Sequence, residues 1–129
     1  MTAQEAQNIR VAVVDDEQPF LDLLSALMPR FNYTGNFFSS PVKAYDVIAA
    51  NSKLFDLIML DVKMPEMDGI TFAKKIRSHV GDLPILFMTA YASEEVQKDV
   101  IRLKRVAFVE KPFSLEPVLR DSIPSFLKG

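Results

Sequence analysis

Residues 57–69 read Leu-Ile-Met-Leu-Asp-Val-Lys-Met-Pro-Glu-Met-Asp-Gly, and this stretch decides the fold class. Its first four residues, Leu57 to Leu60, form an apolar run that is too short for a helix and shows no polar alternation. Such a run predicts a strand buried on both faces, which is typical of a parallel sheet covered by helices. Because Asp61 follows directly, a carboxylate is expected at the carboxyl end of that strand.

Three further apolar runs of the same kind lie along the chain, namely Val11–Val14, Ile85–Met88 and the shorter Val106–Val109. Like the first run, they are expected to be strands buried on two sides. Tyr33 to Phe38 is a weaker strand prediction because Gly35 interrupts it, so this strand is placed at a sheet edge. Strand and helix alternate five times, which predicts an α/β fold with a doubly wound, five-stranded parallel sheet.

Five amphipathic helices are predicted between and after these strands. Their apolar stripes are, in order, Phe20, Leu23, Leu24 and Leu27; Val42, Tyr45, Ile48 and Ala49; Ile70, Ala73 and Ile76; Val96, Val100 and Leu103; and Leu115, Val118 and Leu119. Ser93 and Ser114 are expected to cap the fourth and fifth helices, and Pro19 suits the first turn of the first. Lys74, Lys75 and Arg77 are expected to face solvent. Pro124 lacks an amide hydrogen, so the fifth helix should kink or end there.

Composition excludes several classes of protein. A length of 129 residues fits one domain, and the absence of cysteine excludes disulfides, thiolate zinc sites and a cysteine nucleophile. Fifteen basic and 17 acidic residues give a net charge of -2, so no basic field indicates nucleic-acid binding. No apolar run approaches the roughly 20 residues of a membrane span. Residues 1–8 are polar, are expected to be frayed and lack signal-peptide features, which favours a cytoplasmic protein.

Chemistry-bearing side chains follow four of the predicted strands. Asp15 and Asp16 follow the first strand, Asp61 the third, Thr89 the fourth and Lys111 the fifth. In open α/β sheets, ligands bind outside the carboxyl ends of the strands. Each residue alone is explained as well by a turn, a helix cap or a solvated loop. Their occurrence at four strand ends together predicts one site.

Three clustered carboxylates need positive charge nearby. Two carboxylates about 4 Å apart repel by roughly 4 kcal/mol at an effective dielectric constant of 20. Lys111 supplies one positive charge, and an oxygen-only ligand set suits Mg²⁺. A magnesium ion beside an ammonium and a hydroxyl can hold a phosphoryl group while a carboxylate attacks phosphorus. The sequence has no Gly-rich phosphate loop, so a nucleotide is not the obvious ligand.

Taken together, these motifs resemble the receiver domain of two-component response regulators over about residues 9 to 123. The resemblance is carried by Val13-Val14-Asp15-Asp16, by residues 60–69, by Met88-Thr89-Ala90 and by Glu110-Lys111-Pro112-Phe113. It implies a flavodoxin-like (βα)5 receiver domain over residues 9–129 with strand order 2-1-3-4-5. It also implies a histidine kinase or phosphotransfer protein as phosphodonor, and an output protein or effector domain as the target.

The resemblance also implies the metal site and the acceptor. Asp61 would accept the phosphoryl group, and self-phosphorylation and autodephosphorylation there would depend on Mg²⁺ without making the chain a conventional turnover enzyme. Asp16 would bind the metal directly and Asp15 largely through water. Asp61 and the backbone carbonyl of Lys63 would complete the protein ligands, and Gly69 would shape the loop that leads into the third helix.

The switch is implied by the same resemblance. The hydroxyl of Thr89 would donate a hydrogen bond to a phosphoryl oxygen, and Lys111 would pair with the phosphoryl charge. The peptide bond between Lys111 and Pro112 is expected to be cis, which would place the ammonium in the site. Phe108 occupies the switch-aromatic position and would rotate into the space that Thr89 leaves, although core packing explains Phe108 equally well. The face made by the fourth helix, the fifth strand and the fifth helix would then change.

Alternatives from other classes remain at this point. A receiver-shaped interaction module that works without phosphorylation usually lacks an acidic-pocket residue, the acceptor or the lysine, and all of these are present here. A haloacid-dehalogenase-like phosphatase needs an Asp two residues after the nucleophile, where this chain has Lys63. Lys98, Arg102, Lys104, Arg105 and Arg120 could form a basic rim for an acidic partner, but a solvated helix end is favoured. A phosphorylation-dependent homodimer remains an open alternative. Ala107 stands where the transcription-factor subgroup that dimerises through this face often has an acidic residue, which weighs against that dimer.

Overall fold

The computed structural model describes residues 8–90, 93–111 and 114–128. Its five strands are β1 (Ile9–Val14), β2 (Tyr33–Phe38), β3 (Leu57–Asp61), β4 (Ile85–Thr89) and β5 (Val106–Glu110). All neighbouring strands pair in parallel, in the order β2-β1-β3-β4-β5. The predicted α/β class, the strand order and the edge position of β2 are therefore confirmed. The expected fraying of residues 1–8 concerns positions that, apart from Asn8, lie outside the described ranges.

Helices cover the sheet on both sides. They are α1 (Gln18–Leu27), α2 (Pro41–Ala50), α3 (Gly69–His79), α4 (Glu94–Ile101) and a last helical segment, α5, built from Leu115–Pro117, Val118–Ser122 and Ile123–Lys128. Short 3₁₀ turns at Met28–Phe31 and Ser52–Leu54 lead into β2 and β3. The predicted cap Ser93 accepts the amide hydrogen of Val96. Within the described ranges, no helix has the length and apolar content that crossing a membrane requires.

Alternate side chains of the central strands build two separate cores. On one face, Val14 and Leu60 pack with residues of α2, α3 and α4, including Ile48 and Phe72. On the other face, Val13, Met59 and Met88 pack with residues of α1 and α5. Because both faces of β1, β3 and β4 are covered, their apolar runs show no polar alternation.

Two predicted helical stripes are right in most positions, with one exposed member each. In α1 the buried residues are Leu21 and Leu24, whereas Leu23 is 51% exposed. In α2 the buried face contains Ala44 and Ile48, and Val42 is exposed. Apolar residues at adjacent positions fit two overlapping stripes of the same period, and only packing against the sheet selects between them.

The prediction of burial on two sides is wrong for β5. Residues Val106–Val109 are only partly buried, and Glu110 is exposed. The reason is that β5 is an edge strand, which pairs with β4 alone and has no neighbour on its outer side.

Of the two outcomes expected at Pro124, a kink or an end, the helical segment does not end there, and its hydrogen-bond pattern is irregular just before the proline. Ser114 occupies its N-cap position without a side-chain capping bond. A π-helical turn over Val118–Ser122 precedes the proline, and the amide of Ile123 donates to the carbonyl of Val118. In that i→i+5 pattern the carbonyl of Leu119 would need the amide hydrogen that Pro124 lacks. The buried hydroxyl of Tyr33 donates to the Leu119 carbonyl instead, at 2.5 Å.

Arg77 was predicted to face solvent beside Lys74 and Lys75, and only the two lysines do so. The Arg77 guanidinium is partly buried and donates to backbone carbonyls of two segments. Nη1 lies 2.6 Å from the oxygen of Leu83, and Nε lies 3.0 Å from that of Lys104. Nη2 reaches the carbonyl of Arg105, a residue with a left-handed backbone (φ 56°). Arg77 therefore joins the segment before β4 to the turn between α4 and β5.

Candidate functional site

The carboxyl ends of four strands bring the predicted residues together. Asp15 follows β1, Asp61 ends β3, Thr89 ends β4 and Lys111 follows β5. Asp15, Asp61 and Thr89 are buried, with Asp15 fully inaccessible. A cavity of about 260 Å³ opens at this edge and is lined by Asp16, Glu17, Asp61, Lys63, Thr89, Ala90 and Lys111.

Backbone bonds and one carboxylate set the local geometry. The amide of Asp15 donates to the carbonyl of Phe38, which holds the end of β1 against β2. Oδ1 of Asp15 accepts the amide hydrogen of Glu17 at 2.9 Å, so this carboxylate shapes the turn into α1. At the other side of the site, the amide of Lys111 donates to the carbonyl of Thr89 at 2.6 Å. These hydrogen bonds fix the backbone positions from which the side chains of Asp15 and Lys111 enter the site.

The ammonium of Lys111 contacts three carboxylates at different distances. Its Nζ lies 2.5 Å from Oδ2 of Asp15, 3.2 Å from Oε1 of Glu17 and 3.7 Å from Oδ2 of Asp61. The ring of Phe20 lies below it, with the centroid 4.6 Å away. Sequence reasoning missed the roles of Glu17 and Phe20. The position of Glu17 directly after the Asp15-Asp16 pair was the available signal.

Burial and neighbouring charge raise the pKa of the predicted phosphoacceptor. Burial is the larger cause and the charge of Asp15 adds to it, so the pKa of Asp61 rises from 3.8 to about 6 although Lys111 opposes the rise. Burial also raises the pKa of Asp15, against the hydrogen bond from Lys111. Burial is the largest single influence on Lys111 and disfavours its charged form, but the hydrogen bond to Asp15 and the charges of Asp15 and Asp61 together outweigh burial and raise the pKa of the ammonium.

Three carboxylates of the site could hold a metal ion. One oxygen each from Asp15, Asp16 and Asp61 lies within 4.8 Å of the others. Asp16 is exposed, so an ion there would keep contact with water. Carboxylate oxygens plus water are the ligands that a hard divalent cation such as Mg²⁺ prefers. Lys63, whose backbone carbonyl is the fourth predicted ligand, lines the same cavity.

Gly69 lies against the backbone of Asp61. The amide of Gly69 donates to the carbonyl of Val62 at 2.7 Å. A Cβ atom at position 69 would lie 2.0 Å from the carbonyl oxygen of Asp61, far inside the contact distance. The loop after β3 can therefore return this close to the sheet only with glycine at position 69.

Phe108 lies on the half-buried edge strand and stacks on Phe87, with ring centroids 5.3 Å apart and planes 28° apart. Phe87 is two residues before Thr89 in β4. The predicted switch aromatic thus contacts the strand that carries the predicted switch hydroxyl. The predicted cis bond to Pro112 and the resemblance at Phe113 fall on residues outside the described ranges.

Comparison with known proteins agrees with this architecture. The family described as response regulator receiver domain matches residues 11–122. The transcriptional regulatory protein ZraR of Escherichia coli (strain K12) is 32% identical over 109 residues, which are 84% of this chain and 24% of ZraR. The response regulator MprA of Mycobacterium sp. (strain KMS) is 35% identical over 113 residues, 86% of this chain and 47% of MprA. The chain therefore spans a quarter to a half of these relatives.

Solved structures show the same fold. The chemotaxis protein CheY4 of Vibrio cholerae superposes with a TM-score of 0.80 at 26% identity, covering 92% of this chain and 98% of CheY4. A CheY-like receiver domain protein of Methanospirillum hungatei JF-1 gives a TM-score of 0.85 at 22% identity, covering 95% of each chain. At that identity the second likeness concerns the fold alone.

Proposed function

This chain belongs to the response regulator receiver domain family, and on that premise we propose that it accepts a phosphoryl group on Asp61 with Mg²⁺ as its cofactor. The observation that carries the proposal is that Asp61 belongs to a cluster of three carboxylates and lies 3.7 Å from an ammonium group. That arrangement supplies a nucleophile together with positive charge for the oxygens of the incoming group.

In the proposed step, one carboxylate oxygen of Asp61 forms a bond to phosphorus. The bond between phosphorus and the donor breaks at the same time, and the donor keeps the electron pair. The donor would be a phosphohistidine of a histidine kinase or phosphotransfer protein. Because the pKa of Asp61 is about 6, the carboxylate is mostly ionised at pH 7 and above, as the attack requires. Water attack on phosphorus would later restore the carboxylate.

Asp15, Asp16, Asp61 and the backbone carbonyl of Lys63 would hold the magnesium ion, whose charge neutralises phosphoryl oxygens when it is bound. The closeness of the three carboxylates supports this ligand set. Lys111 would pair with a further phosphoryl oxygen, and the hydroxyl of Thr89 would donate to another. Thr89 is buried in the wall of the cavity, and the Lys111 ammonium is 3.7 Å from Asp61, which supports both roles.

The output of the proposed switch is the face made by α4, β5 and α5. A dianion on Asp61 would attract Thr89 and Lys111, and Phe108 would follow into the space that Thr89 leaves. The partial burial of Phe108 and its stacking on Phe87 support this coupling. An output protein or an effector domain would read the changed face. Since the relatives include a transcriptional regulatory protein, we propose a two-component pathway in the cytoplasm as the setting.

The proposal is tested by Mg²⁺-dependent labelling with a small acyl phosphate. We expect one phosphoryl group per chain in the wild type and none above background in Asp61→Asn. Asp22→Asn, which removes an exposed carboxylate on α1, is the control and should label like the wild type. Equal labelling of wild type and Asp61→Asn would overturn the acceptor assignment. A wild type that never labels would favour the receiver-shaped interaction module.

The switch is tested separately by NMR. Adding beryllofluoride, a phosphoryl mimic, with Mg²⁺ should move the amide resonances of Thr89 and Phe108. If the mimic binds and these resonances stay in place, the proposed coupling between acceptor and output face is wrong.

A further inference from the structure

The three carboxylates around Lys111 differ in how much they depend on the ammonium. Asp15 is fully buried and lies 2.5 Å from Nζ, so without Lys111 its charge would be buried without its cationic partner. Glu17 lies 3.2 Å from the same atom, but its side chain is 64% exposed. An exposed carboxylate can exchange an ion pair for water at little cost. Glu17 is therefore the partner that Lys111 can release most easily.

Glu17 also lies where a phosphoryl group would compete for Lys111. It lines the same cavity as Asp61 and Thr89. The metal-ligating cluster of the described residues consists of Asp15, Asp16 and Asp61 and does not include it. An ammonium has three donor hydrogens, and two of them are directed to Asp15 and Glu17. Asp61 is the most distant of the three carboxylates.

We propose that Glu17 is a positioning residue that competes with the phosphoryl group for the Lys111 ammonium, and that a phosphoryl group on Asp61 displaces it. This inference rests on the proposed function, because it assigns Glu17 a part in filling that same site. In the unmodified protein Glu17 stabilises Lys111 on the Asp15 side of the cavity. When Asp61 carries a phosphoryl group, Lys111 turns to the new oxygens and the Glu17 carboxylate returns to water. Glu17 thereby weakens binding of the phosphoryl group.

The first experiment measures the affinity for beryllofluoride at saturating Mg²⁺ by NMR titration. Glu17→Gln keeps the size of the side chain and removes its charge. We expect about threefold tighter binding than in the wild type, the size that suits loss of one partly exposed ion-pair partner. Asp22→Asn removes the same charge from an exposed position on the adjacent helix and should leave the affinity unchanged. An unchanged affinity in Glu17→Gln overturns the inference.

A double-mutant cycle separates positioning from plain charge repulsion. If Glu17 acts through Lys111, then Glu17→Gln has no effect on beryllofluoride affinity in a Lys111→Gln background. If the threefold gain persists there, Glu17 acts by repelling the anion directly and the inference is wrong.

A second readout avoids both the mimic and the Lys111 variant, which risks unfolding the protein by leaving Asp15 without its ammonium. In the unmodified protein without Mg²⁺, Glu17→Gln should shift the side-chain Cε and Hε resonances of Lys111, and Asp22→Asn should not. Unshifted Lys111 resonances in Glu17→Gln overturn the inference. Failure of the wild type to bind beryllofluoride would instead count against the proposed function.

Discussion

At the scale of single residues, Gly69 constrains the backbone position of Asp61, the proposed phosphoacceptor. A methyl group at this position would meet the carbonyl oxygen of Asp61 at 2.0 Å, and that atom belongs to the backbone, which cannot rotate away. We expect Gly69→Ala to lower the free energy of unfolding by about 2 kcal/mol or more. We also expect slower labelling of Asp61, because the strand end that carries it must move. Denaturant unfolding and acyl-phosphate labelling measure the two effects.

Gly81→Ala is the matched control for that substitution. Nothing lies within 4 Å of a Cβ atom at position 81, and the glycine has no positive φ. Its stability should stay within about 0.5 kcal/mol of the wild type or rise slightly. If Gly69→Ala unfolds and labels like Gly81→Ala, the close approach to Asp61 is not a real constraint.

Asp61 itself predicts a dependence of stability on pH in the absence of divalent cations. The pKa of Asp61 is about 6 in the folded chain, whereas it is 3.8 for an aspartate without burial or neighbouring charges. The folded state therefore binds the proton more tightly, so this residue's contribution to stability falls as the pH rises through about 4 to 6. Above that window the charged carboxylate costs on the order of 2 kcal/mol.

Asp61→Asn should remove this cost. At pH 7 without metal we expect the variant to be more stable than the wild type by about 1–2 kcal/mol, and the advantage should vanish near pH 4. Chemical denaturation across that pH range is the measurement, with Asp22→Asn as the control. If Asp61→Asn is less stable than the wild type at pH 7, the proposed free-energy cost of the buried Asp61 charge is wrong.

The sequence predicted which residues form the site but not how they share contacts. Strand ends meet at one edge of a parallel sheet, so Asp15, Asp61, Thr89 and Lys111 could be grouped from their positions alone. Which carboxylate holds the ammonium depends on rotamers and distances of tenths of an ångström. The partnership of Lys111 with Glu17 and with the Phe20 ring was therefore outside the reach of sequence reasoning.

At the scale of elements, one side-chain bond completes the last helical segment. The Tyr33 hydroxyl satisfies the Leu119 carbonyl, which the π turn and Pro124 leave without an amide partner. We expect Tyr33→Phe to destabilise the fold by about 1–3 kcal/mol, because a buried carbonyl then lacks its donor. Thermal unfolding should show the loss, and Tyr45→Phe, at a half-buried ring beside Phe72, is the control. Equal stability of both variants would contradict the role of this bond.

Helices and strands could be predicted where the local sequence signals agreed. The predictions failed where tertiary packing determines the structure. Each predicted strand is present, because short apolar runs between helical periods leave few alternatives. The π turn before Pro124 was not predictable, since it depends on a donor from β2 that is 86 residues away in the chain. The exposed positions of Leu23 in α1 and Val42 in α2 were missed for a similar reason. Period alone fixes an apolar stripe only to within its neighbours.

At the scale of the whole molecule, the carboxylate cluster predicts stabilisation by Mg²⁺. A ligand that binds only the folded state stabilises it by about 2.7 kcal/mol at a concentration 100 times its Kd. We expect the melting temperature to rise with Mg²⁺ concentration in the wild type. In Asp16→Asn the rise should be strongly reduced while the metal-free stability changes little, because Asp16 is exposed. Scanning calorimetry gives both values, and an equal rise in the two proteins would count against the ligand set.

Arg77 has a mechanical consequence for the molecule as a whole. Its guanidinium donates to the carbonyl of Leu83, before β4, and to that of Lys104, after α4. These bonds hold the C-terminal end of α4 at the edge of the sheet opposite the acidic cavity. The N-terminal end of α4 begins at Glu94, five residues after Thr89 at the carboxyl end of β4. A displacement of Thr89 would consequently rotate α4 about its C-terminal end rather than translate the whole helix. The N-terminal end of α4, which lies nearer Thr89 in the chain, would move furthest.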